Sequence, residues 1–457
     1  MIKGIKIITV KELLTNIGLK IPYYQRPYKW TTKNVNQLID DILFFNDKNA
    51  YRIGSIIIHE DKNIENIVDG QQRTITFLLI AKAILRNRIS ELDELKKIYS
   101  EKEINDYLPK VDWKFSNLIS QQNIKRNYIE IERRIKEFDK KTIKFFFEKC
   151  ELVKVTLSDI SEAFQFFDSQ NARGKDLEPH DLLKAFHLRE MSKISDDEKK
   201  EIVSTWETMV TDELSGLFEK YLFRIRNWSK GYSARFFTKN HVDNFKGISP
   251  DNSNITPFAE PFRITHHFID NYNKNDERKI DFQYRDYPFQ LDTVVLNGKR
   301  FFEMISYYKL KIQNIVSSDY DKISVYLGIN INSIAYTILK VINTYPARFR
   351  KGDKYIRNLF NCALIFYLDK YGMKDIEKAI EKFFIWSYKL RLVHHSVQLA
   401  TVDNYALDTL MFKLIREMVN HKNIINYNID NIKAGDIHST KNEELVELFK
   451  ELKYYDE

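Results

Sequence analysis

Apolar residues in the first part of the chain come in short bursts of two different periods. "GIKIITV", "YRIGSIII" and "IENIV" are rich in β-branched residues and bounded by glycine or charge, and they predict strands. "TTKNVNQLIDDILFF" instead places Val35, Leu38, Ile39, Ile42 and Leu43 at helical spacing, with Thr31 or Thr32 as the cap. Another strand, "ELVKVTL" at 151–157, follows a helical insertion over residues 76–150 that ends in the amphipathic, heavily charged "NYIEIERRIKEFDKKTIKFFFEK". Next, "SDISEAFQFFDSQNARGKDLEPHDLLKAFHL" predicts a helix, a polar loop closing on Arg-Gly, and a second helix with Pro179 in its first turn.

Beyond residue 196 the periodicity is almost wholly helical. "DDEKKEIVSTWETMV", "NSIAYTILKVINTY", "YIRNLFNCALIFYLDKYG", "KDIEKAIEKFFIWSYKL" and "NYALDTLMFKLIREMV" each predict a helix. "NFKGISPDNSNITP" and "NYNKNDERKI" are polar and turn-rich and predict linkers. The fold class is therefore α+β: a small mixed-sheet domain at 1–195 carrying the helical insertion, then an all-α domain at 196–457. The aromatic runs "KFFIWSYKL" and "FNCALIFYLDKYG" read as helical core, or else as a partner or DNA surface.

Composition changes this picture little. The 457 residues are 43% hydrophobic and 30% charged, as in ordinary globular proteins. Lys and Arg number 72 against 64 acidic residues, a net charge of +8 that permits an acidic partner without requiring one. Two cysteines, Cys150 and Cys362, build neither a disulfide framework nor a zinc site. The N-terminus lacks the pattern of a signal peptide, and the longest apolar run, "TFLLIAKAIL", is too short for a bilayer. The expectation is a cytoplasmic protein with no membrane contact.

Three polar motifs interrupt the apolar pattern. In "IPYYQRPYKW", Tyr24, Gln25 and Arg26 precede a stiffening proline, with Tyr28 and Trp30 beyond it; such a set can stack on a base and hold a phosphate. A Pro-stiffened loop with its aromatics in the core accounts for the same residues. In "IENIVDGQQRTITFLLI", Asp69-Gly70 ends a strand, and Gln71, Gln72 and Arg73 open a helix whose free N–H groups suit an anion. Arg73 opposes the helix dipole there, at a cost of about 0.3–1 kcal/mol that an anion in the turn would offset. Asp69 is placed to hold a metal ion or orient a water. Alternatively, Arg73 pairs with a nearby carboxylate in a plain strand–turn–helix. In "FDSQNARGKDLEPHDLLK", Asn171, Arg173 and Gly174 form a polar loop beside a helix carrying Asp181 and Lys184, suited to phosphate or ribose, or to an ordinary helical corner. If the three loops converge, Arg26, Arg73, Arg173 and Lys184 form a cationic pocket that needs a polyanion.

The three motifs, in this order and spacing, resemble those of the N-terminal domain of GmrSD-type, modification-dependent restriction proteins, over residues 5–190. The resemblance implies a ParB/sulfiredoxin-like core that binds and hydrolyses an NTP, with Mg²⁺, and couples it to sensing DNA, including modified phage DNA. It places the nucleotide at Asp69, Gly70, Gln71, Gln72 and Arg73, with Tyr24, Gln25 and Arg26 beside it and Asn171, Arg173 and Gly174 completing the pocket.

Many relatives add a C-terminal HNH nuclease, and its pattern is missing here. His266 and His267 lack fitting partners, and His394 and His395, followed by Asp403 and Asn404, lack the proline and strand-turn context. A DNA-sensing NTPase subunit served by a partner nuclease is the leading expectation. A non-hydrolysing, ParB-like DNA clamp and a single-chain nuclease around His394 and His395 are the alternatives.

Overall fold

The computed structural model describes residues 2–22, 25, 27–61, 64–87, 115, 118–158, 178–191, 211–250 and 256–456, with 194, 198, 199, 201, 202, 206 and 209 besides. The chain divides into two compact units, residues 1–177 with 191–208, and residues 178–190 with 209–457.

The first unit runs β1 (Ile2–Thr9), α1 (Val10–Leu14), β2 (Leu19–Lys20), α2 (Thr32–Phe45), β3 (Tyr51–Asp61), β4 (Ile64–Asp69), α3 (Gln71–Asn87), α4 (Leu118–Arg134), α5 (Lys140–Glu148) and β5 (Cys150–Leu157). Its sheet has the order β1-β5-β3-β4-β2, with β5–β3 and β4–β2 parallel and the other two pairs antiparallel. Local signals explain where the helices start. Thr9 with Glu12, and Thr31 with Asn34, form capping boxes, and Asp139 caps α5 through the Thr142 amide. The apolar face of α2 (Val35, Leu38, Ile39, Ile42) packs into one core with Ile56, Ile58 and Ile67 of the sheet and Ile75, Phe77, Ile80 and Ile84 of α3. Ile131, Ile135, Phe145 and Phe146 join the same core, so the helices after β4 complete the layer that covers the sheet.

The second unit comprises α6 (Pro179–Arg189), α7 (Thr211–Leu217), a π turn (Phe218–Leu222), α8 (Phe223–Ser229), α9 (Glu260–Lys274), α10 (Asp276–Ile280), α11 (Lys299–Ile315), α12 (Tyr320–Leu327), α13 (Ile334–Thr344), α14 (Lys351–Tyr371), α15 (Ile376–Val393), α16 (Leu399–Asp408), α17 (Met411–Glu417), α18 (Lys422–Ile425) and α19 (Glu443–Glu451). Its centre is the pair α14 and α15. Leu359 through Leu368 are buried without a break, as are Phe383 through Tyr388. Helices apolar on every side belong in an interior, so these aromatic runs are core rather than a docking face.

Several expectations needed correction. "NYNKNDERKI" is helical in α9 and α10, separated at Asn275, whose side chain caps α10. "NYALDTLMFKLIREMV" forms two helices, because Leu410 turns left-handed (φ 55°) between α16 and α17. The second unit also holds two short parallel strands, Ile432–Lys433 and Tyr455–Asp456. Most of "DDEKKEIVSTWETMV" lies outside the described residues. Among the described residues, no helix is long and apolar enough to cross a membrane.

Two buried histidines make the second unit acid-sensitive. His187 stacks on Phe301 at 3.7 Å, with its Nε2 3.0 Å from the Phe245 carbonyl, and burial holds it well below its ordinary pKa. Burial likewise pushes His266, stacked on Tyr287, down to about 4. The unfolded imidazoles protonate near pH 6.5 while the folded ones stay neutral, so stability falls as pH drops from 6.5 toward 4. Asp369 opposes this. Burial raises its carboxyl to about 6, so the folded state takes up that proton first and gains stability as pH falls through 6. Wild type is expected to lose on the order of 2 kcal/mol between pH 7 and pH 5. Asp369→Asn removes the offset, and its loss over the same interval should be larger by about 1 kcal/mol. Urea unfolding of both proteins at the two pH values checks this; equal losses would refute it.

Candidate functional site

The candidate site lies where β4 ends. β3 is longer than β4 and runs antiparallel to it, so Tyr51–Ile56 extend past Asp69, which faces Ile57. Two irregularities shape this corner. The β3–β4 register skips Val68, and the β3–β5 register skips Ile53. Each bulge leaves a residue outside the ladder, a device used to re-aim groups beside functional sites.

Gly70 makes the turn from β4 into α3. Its φ is 92°, and a Cβ there would lie 3.2 Å from the Ser55 carbonyl oxygen and 3.2 Å from Ile56 Cγ1. Both the conformation and the space call for glycine. Its carbonyl accepts from the Thr74 amide (3.0 Å) and the Thr74 hydroxyl (2.9 Å), starting the helix. The amides of Gln71, Gln72 and Arg73 come before the first internal bond of α3, from the Thr74 amide to the Gly70 carbonyl, and so have no partner within the helix.

Arg73 reaches back over β3. Its Nη1 donates to the Ile53 carbonyl at 3.2 Å, the group that the bulge turns out of the ladder. The guanidinium passes directly over Gly54 (φ 141°), where a Cβ would sit 1.8 Å from Nη1. Asp69 is half-buried at the end of β4. Among the described residues, neither the Asp69 carboxylate nor the Arg73 guanidinium makes an ion pair. The carboxylate partner expected of Arg73 in a plain strand–turn–helix is therefore absent from these residues. Asp69 is the carboxylate of the turn, and no group of three metal-ligating side chains occurs among the described residues.

The first motif is fastened to the second from both sides. Gln25 Nε2 donates to the Ile67 and Val68 carbonyls, each at 2.8 Å, at the bulge of β4. Gln72, only 7% exposed, accepts at Oε1 from the Lys29 amide (2.7 Å) and the Trp30 amide (3.2 Å), and donates at Nε2 to the Pro27 carbonyl (3.1 Å). Gln72 lies in the segment where the resemblance places the nucleotide and is a catalytic candidate there with Asp69, Gln71 and Arg73; both ends of its amide hold the loop 27–30. Gln71 is buried beside it, with Oε1 3.4 Å from Gln72 Nε2.

Of the two aromatics expected to stack on a base of DNA, Tyr28 and Trp30, burial removes Tyr28 from any surface contact, while Trp30 is only partly buried. Tyr28 is fully buried, with its hydroxyl 2.8 Å from Thr76 Oγ1 and accepting from Asn127 Nδ2 at 3.0 Å. Trp30 packs partly buried against the core, and Asn127 Nδ2 also donates to its carbonyl at 2.7 Å. These aromatics anchor the loop from beneath.

Tyr24, Arg26, Asn171, Arg173 and Gly174 lie outside the described residues. Pro179 stands in the first turn of α6, as expected, but α6 belongs to the second unit, where Lys184 is 5% exposed. His394 and His395 are exposed between α15 and α16. Asp403, which a nuclease site there would require, is spent on Trp228 Nε1 (2.9 Å), Ser233 Oγ (2.6 Å), the Ala234 amide (2.7 Å) and Arg235 Nε (3.1 Å). His266 is buried and His267 bonds Asn271 on its own helix.

Gly54 and Ile53 are the site residues that sequence reasoning missed. A glycine inside "YRIGSIII" is itself a sign of a bulge or of a close approach. Gly54→Ala is expected to push the guanidinium off β3 and weaken nucleotide binding at least tenfold. The enforced φ adds a stability cost of about 1 kcal/mol. Titration of wild type and variant with Mg·NTP checks it, and unchanged affinity would remove Arg73's pose from the site.

Residues 10–188 match the family model of the GmrSD restriction endonuclease, N-terminal domain, in agreement with the resemblance carried by the three motifs. Residues 198–444 match a family of unknown function, DUF7834. No curated protein matches the chain.

Proposed function

We propose, for a chain that belongs to the family of unknown function DUF7834 and carries a GmrSD restriction endonuclease N-terminal domain, that its first unit binds and hydrolyses a nucleoside triphosphate as the DNA-sensing part of a restriction system. The observation that carries this is the pair Asp69 and Arg73, opposite charges at a glycine turn and a helix N-terminus, without an ionic partner among the described residues. A triphosphate supplies what both lack. Its oxygens would take the Arg73 guanidinium and the amides of Gln71, Gln72 and Arg73. Asp69, with the phosphates and water, would complete the shell of Mg²⁺, which rarely uses an all-protein cage and here would neutralise phosphate charge. Gln25 bonds the end of β4 and Gln72 holds the loop 27–30 beside this turn; Arg26 and Tyr24 are proposed as further contacts from the motif alone.

Strand cleavage is assigned to a partner nuclease. Supporting that, Asp403, beside the exposed His394 and His395, is occupied by structural donors. The test is phosphate release by purified protein with ATP, GTP, CTP or UTP and Mg²⁺, with plain DNA, modified DNA or none. Turnover that requires Asp69 and Arg73 is the expected result. Binding without turnover would reassign the turn to a nucleotide-gated clamp on DNA. Metal-dependent DNA cleavage by the single chain would overturn the partner assignment.

A further inference from the structure

The helical insertion lends the site a polar face that no motif announced. Ser120, Asn123 and Asn127 stand at i, i+3 and i+7 on α4 and share one side of it. All three bind the loop 27–30. Ser120 Oγ accepts from the Tyr28 amide (2.9 Å), and Asn123 Nδ2 donates to the Tyr28 carbonyl (2.8 Å). Asn127 Nδ2 donates to the Trp30 carbonyl (2.7 Å) and to the Tyr28 hydroxyl (3.0 Å), which accounts for both of its protons. From the other side, Gln72 of α3 bonds the Lys29 and Trp30 amides and the Pro27 carbonyl. The loop is therefore fixed between two helices of the first unit.

Between the helices runs a chain of hydrogen bonds whose direction is forced. Thr76 Oγ1 donates to the Gln72 carbonyl (2.9 Å), which spends its one proton. The Tyr28 hydroxyl, 2.8 Å from Thr76 Oγ1, must therefore donate to it, and keeps lone pairs to accept from Asn127. The links run in one sense, from the Asn127 amide through the Tyr28 and Thr76 hydroxyls to the Gln72 carbonyl. Asn127, Tyr28 and Thr76 are fully buried. In such surroundings each bond is stronger than in water and polarises the next.

We infer that, given the nucleotide proposed at the Asp69–Arg73 turn, Asn127, Tyr28 and Thr76 are positioning residues for its phosphates. The Gln72 carbonyl and the Arg73 amide belong to one planar peptide unit, so holding the carbonyl fixes the direction of the N–H. A bond accepted at the carbonyl also polarises that unit and strengthens the N–H as a donor to an anion. The Arg73 amide has no partner within α3, and its aim is set from α4 through three buried side chains. Packing alone does not call for this chain. Phe, Val and Leu fill similar volumes, and exchanging a whole set of hydrogen-bonded groups for apolar ones of the same shape is nearly neutral.

The test is calorimetric titration with ATP, GTP, CTP and UTP, each with Mg²⁺, on wild type and on Tyr28→Phe/Thr76→Val. This pair keeps the shape of the core and deletes two links of the chain. The double variant should unfold within a few degrees of wild type and bind NTP about tenfold more weakly, the effect of one misaligned hydrogen bond to a charged group. Asn127→Ala should weaken binding to a similar degree. Coupling is reciprocal, so nucleotide should slow hydrogen exchange in α4 of wild type and leave it unchanged in the double variant. Equal NTP affinity of wild type and double variant, or exchange in α4 that nucleotide leaves unaltered in wild type, overturns the positioning role while the nucleotide site stands. A wild type that binds none of the four nucleotides overturns the reading of the turn and the positioning role with it.

Discussion

Arg73→Ala is expected to abolish NTP turnover while leaving the apo protein as stable as wild type. Structurally the side chain contributes little: one hydrogen bond, 3.2 Å to the Ile53 carbonyl, from a half-buried position. Such a bond is worth about 1 kcal/mol net, and the unfavourable place of a cation in the first turn of α3 offsets about 0.3–1 kcal/mol of it. Apo stability should therefore change by less than about 1 kcal/mol. Function should not be spared, because losing a preorganised donor to developing phosphate charge costs about 10²–10³ in rate. Asp69→Ala should be similarly inactive, since it removes the carboxylate of the turn. The decisive comparison is nucleotide-induced stabilisation, present in wild type and lost in Arg73→Ala. If both variants hydrolyse NTP at the wild-type rate, the site is elsewhere.

Asp403→Ala is expected to be the most destabilising change in the second unit. The carboxylate is 1% exposed and accepts from Trp228, Ser233, Ala234 and Arg235, tying α16 to the segment after α8. Those donors hold its pKa below the usual carboxylate value even though burial pushes it up. Removing it strands the Trp228 indole N–H and the Ala234 amide in the interior and leaves Arg235 without its counter-ion, a loss of about 3–5 kcal/mol. The exposed neighbours His394→Ala and His395→Ala should stay within about 0.5 kcal/mol. Chemical unfolding of the three variants checks this. A stable Asp403→Ala protein would reopen the residue to a metal-binding role.

Much of the local structure was determined by the sequence itself. β-Branched runs bounded by glycine or charge became β1, β3, β4 and β5. Helical periods after Thr31 and Pro179 became α2 and α6, because caps and apolar faces act over a few residues. The Asp-Gly-Gln-Gln-Arg turn was legible because Gly70 is the residue that a positive φ against β3 admits. Tertiary structure decided what each polar residue does there. Gln71 through Arg73 look alike as text. Yet Gln72 is consumed by the loop 27–30, while Arg73 crosses Gly54 to a carbonyl that only a register shift exposes. Tyr28 had suggested stacking on a base, and Asp403 stands near the histidines of the alternative nuclease reading; partners 48 and 175 residues away made them structural. Helix starts and turns are settled by neighbours in the chain; whether a polar group is spent or free is settled by neighbours in space.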